Sequence, residues 1–222
     1  MLISGAATFS TKIGVNYDTL GNNLPKPIKS VELIKTLKAK QVKLYSPVDP
    51  EILKALNGTN IQVSIMVLNE ILSDISVNQT MAKEWVRNNL VAYYPHTLIR
   101  YLLVGNELLS RTDDANKKVW HDLVPAIRKI QFALKSFGLL EVKVDTPMLM
   151  DVLESSSFPP SNGTFRSDIV PVIKPLSQFL NKTKSFFFVD CYPYFAWSQS
   201  YKTVSLDYAL LKGGVEYTDP VS

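Results

Sequence analysis

The run Ile99-Arg100-Tyr101-Leu102-Leu103-Val104-Gly105-Asn106-Glu107 constrains this chain more than any other stretch. A short apolar run of Ile, Leu, Val and Tyr reads as a strand covered on both faces, the habit of parallel sheets. Gly105 then frees the backbone to turn, so Asn106 and Glu107 fall at the C-terminal end of the strand. Parallel strands need helical crossovers, and in a βα barrel the C-terminal strand ends carry the active site. A carboxyl there, beside an amide able to bind a sugar hydroxyl, suits the general acid of a glycoside-cleaving site. That chemistry needs a second carboxylate opposite. The rival reading makes Glu107 a strand-end carboxylate paired with Arg100 or a nearby lysine.

The rest of the chain repeats the strand-then-helix rhythm. Strands are expected at 13–17, 41–45, 61–68, 98–107, 141–148 and 186–194, with helices at 30–40, 50–56, 79–93, 113–137, 169–180 and from 206 onward. Pro125 should kink or divide the long fourth helix, and Gly138 should stop it. Six βα units without hairpin signals argue a parallel α/β fold. The turn after the first strand, Asn16-Tyr17-Asp18-Thr19-Leu20-Gly21, lacks the glycine fingerprint of a nucleotide-binding sheet. That favours a (β/α)8 barrel over a doubly wound sheet. A barrel typically needs about 250 residues, and the 222 here offer about six of its eight units in one domain, residues 1–222.

A hydrophobic content of 46% with 20% charge marks a folded chain. The net charge of +4 comes from scattered lysines with no dense basic cluster interleaved with aromatics, which argues against nucleic acid as a partner. It leaves open adhesion to an acidic polysaccharide matrix. No apolar run reaches the length of a membrane span. The single cysteine, Cys191, excludes an internal disulfide framework and reads as a buried packing residue, since neither His96 nor His121 has a readable link to it. The first seven residues lack the basic region of a signal peptide. Four sequons, at Asn57, Asn78, Asn162 and Asn181, nevertheless favour a secretory history and an extracellular setting, with these four as glycosylation sites.

Several stretches together resemble a known family: Ile13 onward (IGVNYDTLGNNLP), Val42 (VKLYSPVDPEILKAL), Leu103 (LVGNE), Ser156 (SSFPPSNGTF), Cys191 (CYPYFAW) and Asp207 (DYALL). In this order and spacing they are similar to the plant endo-1,3-β-glucanases of glycoside hydrolase family 17. The resemblance implies a (β/α)8 barrel that hydrolyses β-1,3-glucan with retention at the anomeric carbon, without metal or organic cofactor, in the plant cell wall. It implies Glu107 as acid/base, Asn106 as a sugar ligand, and Tyr17, Tyr192 and Phe195 as substrate-binding residues lining the cleft. The nucleophile of the family lies in a Glu-Thr-Gly-Trp-Pro stretch on a seventh strand, and that stretch does not occur in these 222 residues.

Two departures from the family pattern bear on the site. Asp190 replaces a usual Asn, and Ser46-Pro47 replaces a more usual acidic residue. Asp190 at a strand end is the nearest substitute for a nucleophile, but its short side chain argues instead for a carboxylate hydrogen-bonded to a tyrosine or to backbone. The expected activity is therefore endo-1,3-β-glucan hydrolysis, with polypeptide 1–222 itself inactive or nearly so. The alternative is a catalytically incompetent glucan-binding protein or decoy using Asn106 and the aromatics of 192–197. The apolar run Phe186-Phe187-Phe188-Val189, on a strand with no following neighbour, should also expose an edge open to self-association.

Overall fold

A computed structural model describes residues 13–45, 49–154, 160–202 and 204–212. The expected features at Ser46-Pro47, at the N-terminal seven residues and in the first half of the Ser156 stretch lie outside the described residues.

Strands β1 (Gly14–Tyr17), β2 (Gln41–Leu44), β3 (Gln62–Val67), β4 (Ile99–Val104) and β5 (Lys143–Asp145) form one parallel sheet in that order. A second parallel pair, β6 (Met148–Leu149) with β7 (Val189–Asp190), continues the wall. Helices separate the strands: α1 (Pro27–Thr36), α2 (Pro50–Ala55), α3 (Leu72–Val77), α4 (Gln79–Val86), α5 (Asp114–Trp120), α6 (Leu123–Ser136) and α7 (Val170–Thr183), followed by α8 (Pro193–Gln199) and α9 (Leu206–Ala209). The core is made by the inner residues of β2 to β5 and the apolar stripes of the helices. Val63, Ile65, Val67, Leu102 and Val144 are fully buried, as are Ile127, Ile130 and Leu134 of α6. Burial on both faces is what the unbroken apolar runs of β3 and β4 required.

Three element boundaries differ most from the sequence-based expectation. The expected strand 141–148 is two strands, because Pro147 has no N–H to donate and the chain changes neighbours there. β5 pairs with β4, whereas Met148 pairs with Val189. The break in the long fourth helix falls at His121-Asp122, not at Pro125. Pro125 sits in the first turn of α6, where its missing donor removes no helical hydrogen bond. Asp122 there accepts hydrogen bonds from the hydroxyls of Ser73 (2.7 Å) and Ser76 (3.2 Å) on α3, a helix that the sequence reading left out. The sixth strand is only Val189-Asp190, since Pro193 begins α8. Cys191 consequently lies beyond the strand and is exposed, not buried.

The aromatic run before β7 is half-packed. The rings of Phe186 and Phe188 meet Tyr101 edge-on, at 5.8 and 5.4 Å between centroids, and Phe187 leans on Phe165. Phe186, Phe187 and Val189 still present apolar surface to solvent. No helix among the described residues is long and apolar enough to cross a membrane.

Candidate active site

The loop leaving β4 is built around Gly105 and Asn69. Gly105 has φ of +73°, and a Cβ there would meet Asn69 Oδ1 at 2.9 Å and Leu72 Cδ1 at 3.0 Å. Its N–H donates to Val67 O at 2.9 Å. The Asn69 side chain clamps the next residue from both sides, accepting from Asn106 N at 2.8 Å and donating to Asn106 O at 3.0 Å. Only glycine combines this φ with this proximity. Gly105→Ala is therefore expected to destabilise the fold by about 2–3 kcal/mol, read from urea unfolding. A loss under about 0.5 kcal/mol would contradict this account of the loop.

Glu107 follows in the left-handed region, φ +49° and ψ +32°, a sparsely populated conformation for a residue with a side chain. Such strain persists only where the surroundings impose it, and it concentrates at functional sites. Here the Glu107 N–H donates to Pro147 O at 3.0 Å, tying the residue to the bend between β5 and β6. The side chain meets Tyr192, whose Oη donates to Glu107 Oε1 at 2.9 Å. Burial first, then the hydrogen bond and the negative charge of Glu107, hold the Tyr192 phenol well above its ordinary range. The phenol thus stays a donor at any physiological pH. Neither Arg100 nor a lysine partners Glu107 among the described residues.

The other expected site residues distribute as follows. Asn106 is half-buried, and its Oδ1 is a buried acceptor with no partner among the described residues. Tyr192 and Phe195 lie side by side, 5.6 Å between ring centroids, with Tyr194 and Trp197 continuing the cluster along α8. Tyr192, Tyr194 and Phe195 are all exposed, because α8 is a helix standing beyond the strand end. Tyr17 ends β1 and is half-buried, packed partly against the core. No hydrogen bond brings it to Glu107. Asn57, Asn78, Asn162 and Asn181 are all exposed. Asn78 also caps α4 by accepting from Met81 N at 3.1 Å.

Two residues near the site escaped sequence reasoning. Lys43 of β2 places its Nζ 3.2 Å from both carboxylate oxygens of Asp190 on β7, and 4.4 Å from the centre of the Tyr45 ring. The expected partner of Asp190 was a tyrosine or backbone. The structure instead gives it a lysine from the far side of the sheet, 147 residues away. Both side chains are mostly buried, 13% and 20% exposed, so removing one leaves an uncompensated charge in a poor solvent. Lys43→Met is expected to cost about 2–3 kcal/mol, with Lys43→Met/Asp190→Asn recovering most of it. A double variant no more stable than the single one would show that the pair is not what holds β2 to β7.

The second is Asp145, the last residue of β5, which is buried and accepts from Phe188 N through Oδ2 at 3.0 Å. Burial raises its carboxyl from 3.8 to about 7. Its Oδ1, and the neighbouring Thr146 Oγ1, are buried without a partner among the described residues. No local pattern announced it, since the alternation Lys143-Val144-Asp145 sets Asp145 on the face opposite the buried Val144. Among the described residues no group of His, Cys, Asp and Glu could hold a metal ion.

These features sit in a recognisable company. The model of the family "Glycosyl hydrolases family 17" matches residues 13–222. The probable glucan endo-1,3-beta-glucosidase A6 of Arabidopsis thaliana is 52% identical over 212 residues, which is 95% of this chain and 43% of that protein. Glucan endo-1,3-beta-glucosidase 11 of the same plant is 37% identical over 97% of this chain and 49% of its own length. The chain thus spans about half the length, or less, of these curated relatives. Among solved structures, CJP38, a beta-1,3-glucanase and allergen of Cryptomeria japonica pollen, superposes with a TM-score of 0.86 at 35% identity, covering 94% of this chain and 64% of that one. One of two plant beta-glucan endohydrolases with distinct substrate specificities gives 0.82 at 32% identity. The parallel sheet, its order and its βα connections are those of these barrel glucanases over the shared portion, so the expected fold class stands, and the chain belongs to glycosyl hydrolase family 17.

Proposed function

We propose that this segment carries the acid/base half of a retaining endo-1,3-β-glucan hydrolase, with Glu107 as the proton donor and acceptor. The observation that carries this reading is the placement of Glu107: at the C-terminal end of β4, in a strained conformation, with one carboxylate oxygen occupied by Tyr192 Oη. Oε1 being taken, Oε2 is the atom left to give a proton to a glycosidic oxygen. Asn106, whose buried acceptor lacks a partner, supports a role in holding a sugar hydroxyl. The exposed rings of Tyr192 and Phe195 suit stacking on the C–H faces of sugars, and Tyr17 borders the same end of the sheet.

In the retaining reaction a carboxylate nucleophile bonds to C1 as the C1–O bond breaks, and the acid protonates the departing oxygen. Its carboxylate then takes a proton from water as the water oxygen displaces the nucleophile. Asp190 and Asp145 are the other strand-end carboxylates near the site, and both are committed, one to Lys43 and one to Phe188 N. That commitment favours a second reading for polypeptide 1–222 on its own: glucan binding without hydrolysis. Secretion, glycosylation at the four exposed sequons, a single domain over 1–222 and self-association through the Phe186–Val189 edge belong to the same proposal.

The test is polypeptide 1–222 with laminarin, followed by reducing-sugar release and by retardation in a native gel. Retardation without sugar release is expected, and Tyr192→Ala should weaken the retardation. Sugar release that disappears in Glu107→Gln would mean that Asp190 or Asp145 supplies the second carboxylate. Absence of both retardation and release would remove the binding reading.

A further inference from the structure

On the outer surface, away from the strand ends, α6 and α7 enclose a groove of about 430 Å³. Its walls are Arg128, Gln131, Phe132 and Lys135 from α6, facing Gln178 and Lys182 of α7 over a floor that includes Phe179. The two helices are unusual in charge. Residues 123–136 and 170–183 contain five Lys or Arg and no Asp or Glu, whereas the whole chain has a net charge of only +4. The positive excess of the protein is therefore carried by these two helices, and three of the five charges line the groove.

Arg128, Lys135 and Lys182 are exposed and have no ion-pair or hydrogen-bond partner among the described residues. Other surface lysines, such as Lys29 and Lys54, are paired with glutamates one turn away. Arg128 and Lys135 stand two helical turns apart, about 10 Å along α6. That span outreaches a single phosphate or carboxylate and suits a chain with repeated anionic groups.

Phe132 sets the chemistry of that chain. It is 55% exposed at the groove rim, with Lys83 of α4 5.5 Å from its ring centre. An exposed aromatic face flanked by cations and two side-chain amides matches a sugar ring bearing a carboxylate: the C–H face stacks, the amides meet hydroxyls, and the cations meet the charge. A membrane surface is a poorer fit, since the groove is concave and displays a single exposed aromatic ring.

We propose that the α6–α7 groove is a binding site for a linear polyuronate, a carbohydrate chain with a carboxylate on its sugar units, separate from the glucan cleft. It would anchor the protein to an acidic polysaccharide while the strand-end cleft stays free.

The test is affinity electrophoresis of the chain in gels containing polygalacturonate, fully methyl-esterified polygalacturonate or laminarin. Retardation by the acid form and none by the ester is expected. R128Q/K135Q/K182Q should bind polygalacturonate about tenfold more weakly, and Phe132→Ala several-fold more weakly, both with unchanged urea midpoints and unchanged retardation by laminarin. The control K26Q/K35Q/K202Q removes the same charge from exposed positions elsewhere and should bind as the parent does. Equal losses in the two triple variants would reduce the effect to net charge and overturn the site. Phe132→Ala binding at parental strength, with polyphosphate retarding as well as polygalacturonate, would overturn its carbohydrate character. Sedimentation with phosphatidylserine vesicles but no retardation by polygalacturonate would replace it with a lipid surface.

Discussion

Glu107→Gln is expected to lower kcat on laminarin by about 10²–10⁴-fold in a polypeptide long enough to supply the nucleophile, while leaving KM nearly unchanged. Glutamine keeps the shape of the side chain and can still accept from Tyr192 Oη, so the 2.9 Å contact that positions the group survives. What it loses is the ionisable carboxyl, needed once as an acid to protonate the leaving sugar and once as a carboxylate to deprotonate water. A role in proton transfer makes a second, sharper demand. On an aryl glucoside whose leaving group departs without protonation, the first step no longer needs the acid, so the penalty on kcat/KM, which reports that step, should fall well below that on laminarin. Equal penalties on both substrates would make Glu107 a structural or binding group. Tyr192→Phe separates these readings further, because it removes the donor to Oε1 without touching the carboxyl. Its kcat on laminarin should fall with KM nearly unchanged, since the acid loses the contact that orients it. A raised KM with unchanged kcat would place Tyr192 in substrate stacking alone.

The extent to which the site could be read from the chain follows from how far each interaction reaches along it. β4 and its Gly-Asn-Glu ending are legible because hydrophobic run, glycine and polar pair are contiguous, and local physics fixes them. Helix α2 is legible for the same reason: Asp49 caps it, accepting from Glu51 N at 2.8 Å, and Pro50 opens it. Where a boundary moved without a local proline to move it, the cause was a partner distant in sequence. Asp122 ends one helix and precedes the next while held by Ser73 and Ser76, and no pattern within 113–137 announces those hydroxyls. The Lys43–Asp190 pair is more distant still. Each residue alone looks like an ordinary polar position in a strand, and only closure of β7 toward β2 makes them a pair. Tyr192 lay between these extremes. Its aromatic company marked the segment, but its hydrogen bond to Glu107, across 85 residues, required the fold.

The same closure creates a pH dependence that Asp145→Asn should abolish. Where the chain bends at Thr146-Pro147, Phe188 N has no strand carbonyl to meet, and the Asp145 carboxyl serves in its place. Placing an ionisable group there has a thermodynamic consequence. Burial lifts its pKa to about 7 in the fold, against an ordinary value of 3.8 in the unfolded chain. Between those values the folded protein retains a proton that the unfolded chain releases, so stability falls as pH rises through this window. The contribution is fully present below about pH 4 and lost above about pH 7, a change of about 4 kcal/mol at about 1.4 kcal/mol per pH unit. Asparagine retains an oxygen for Phe188 N and never ionises. Its buried N–H₂ adds a roughly constant cost, about 1–2 kcal/mol, because Oδ1 of Asp145 faces no partner. The parent and Asp145→Asn proteins should therefore differ in urea midpoint in opposite senses at the two ends of the range. The variant is expected to be the weaker at pH 4.5 and the stronger at pH 8. A difference that stays constant between those pH values would show that the carboxyl of Asp145 is not held protonated in the fold.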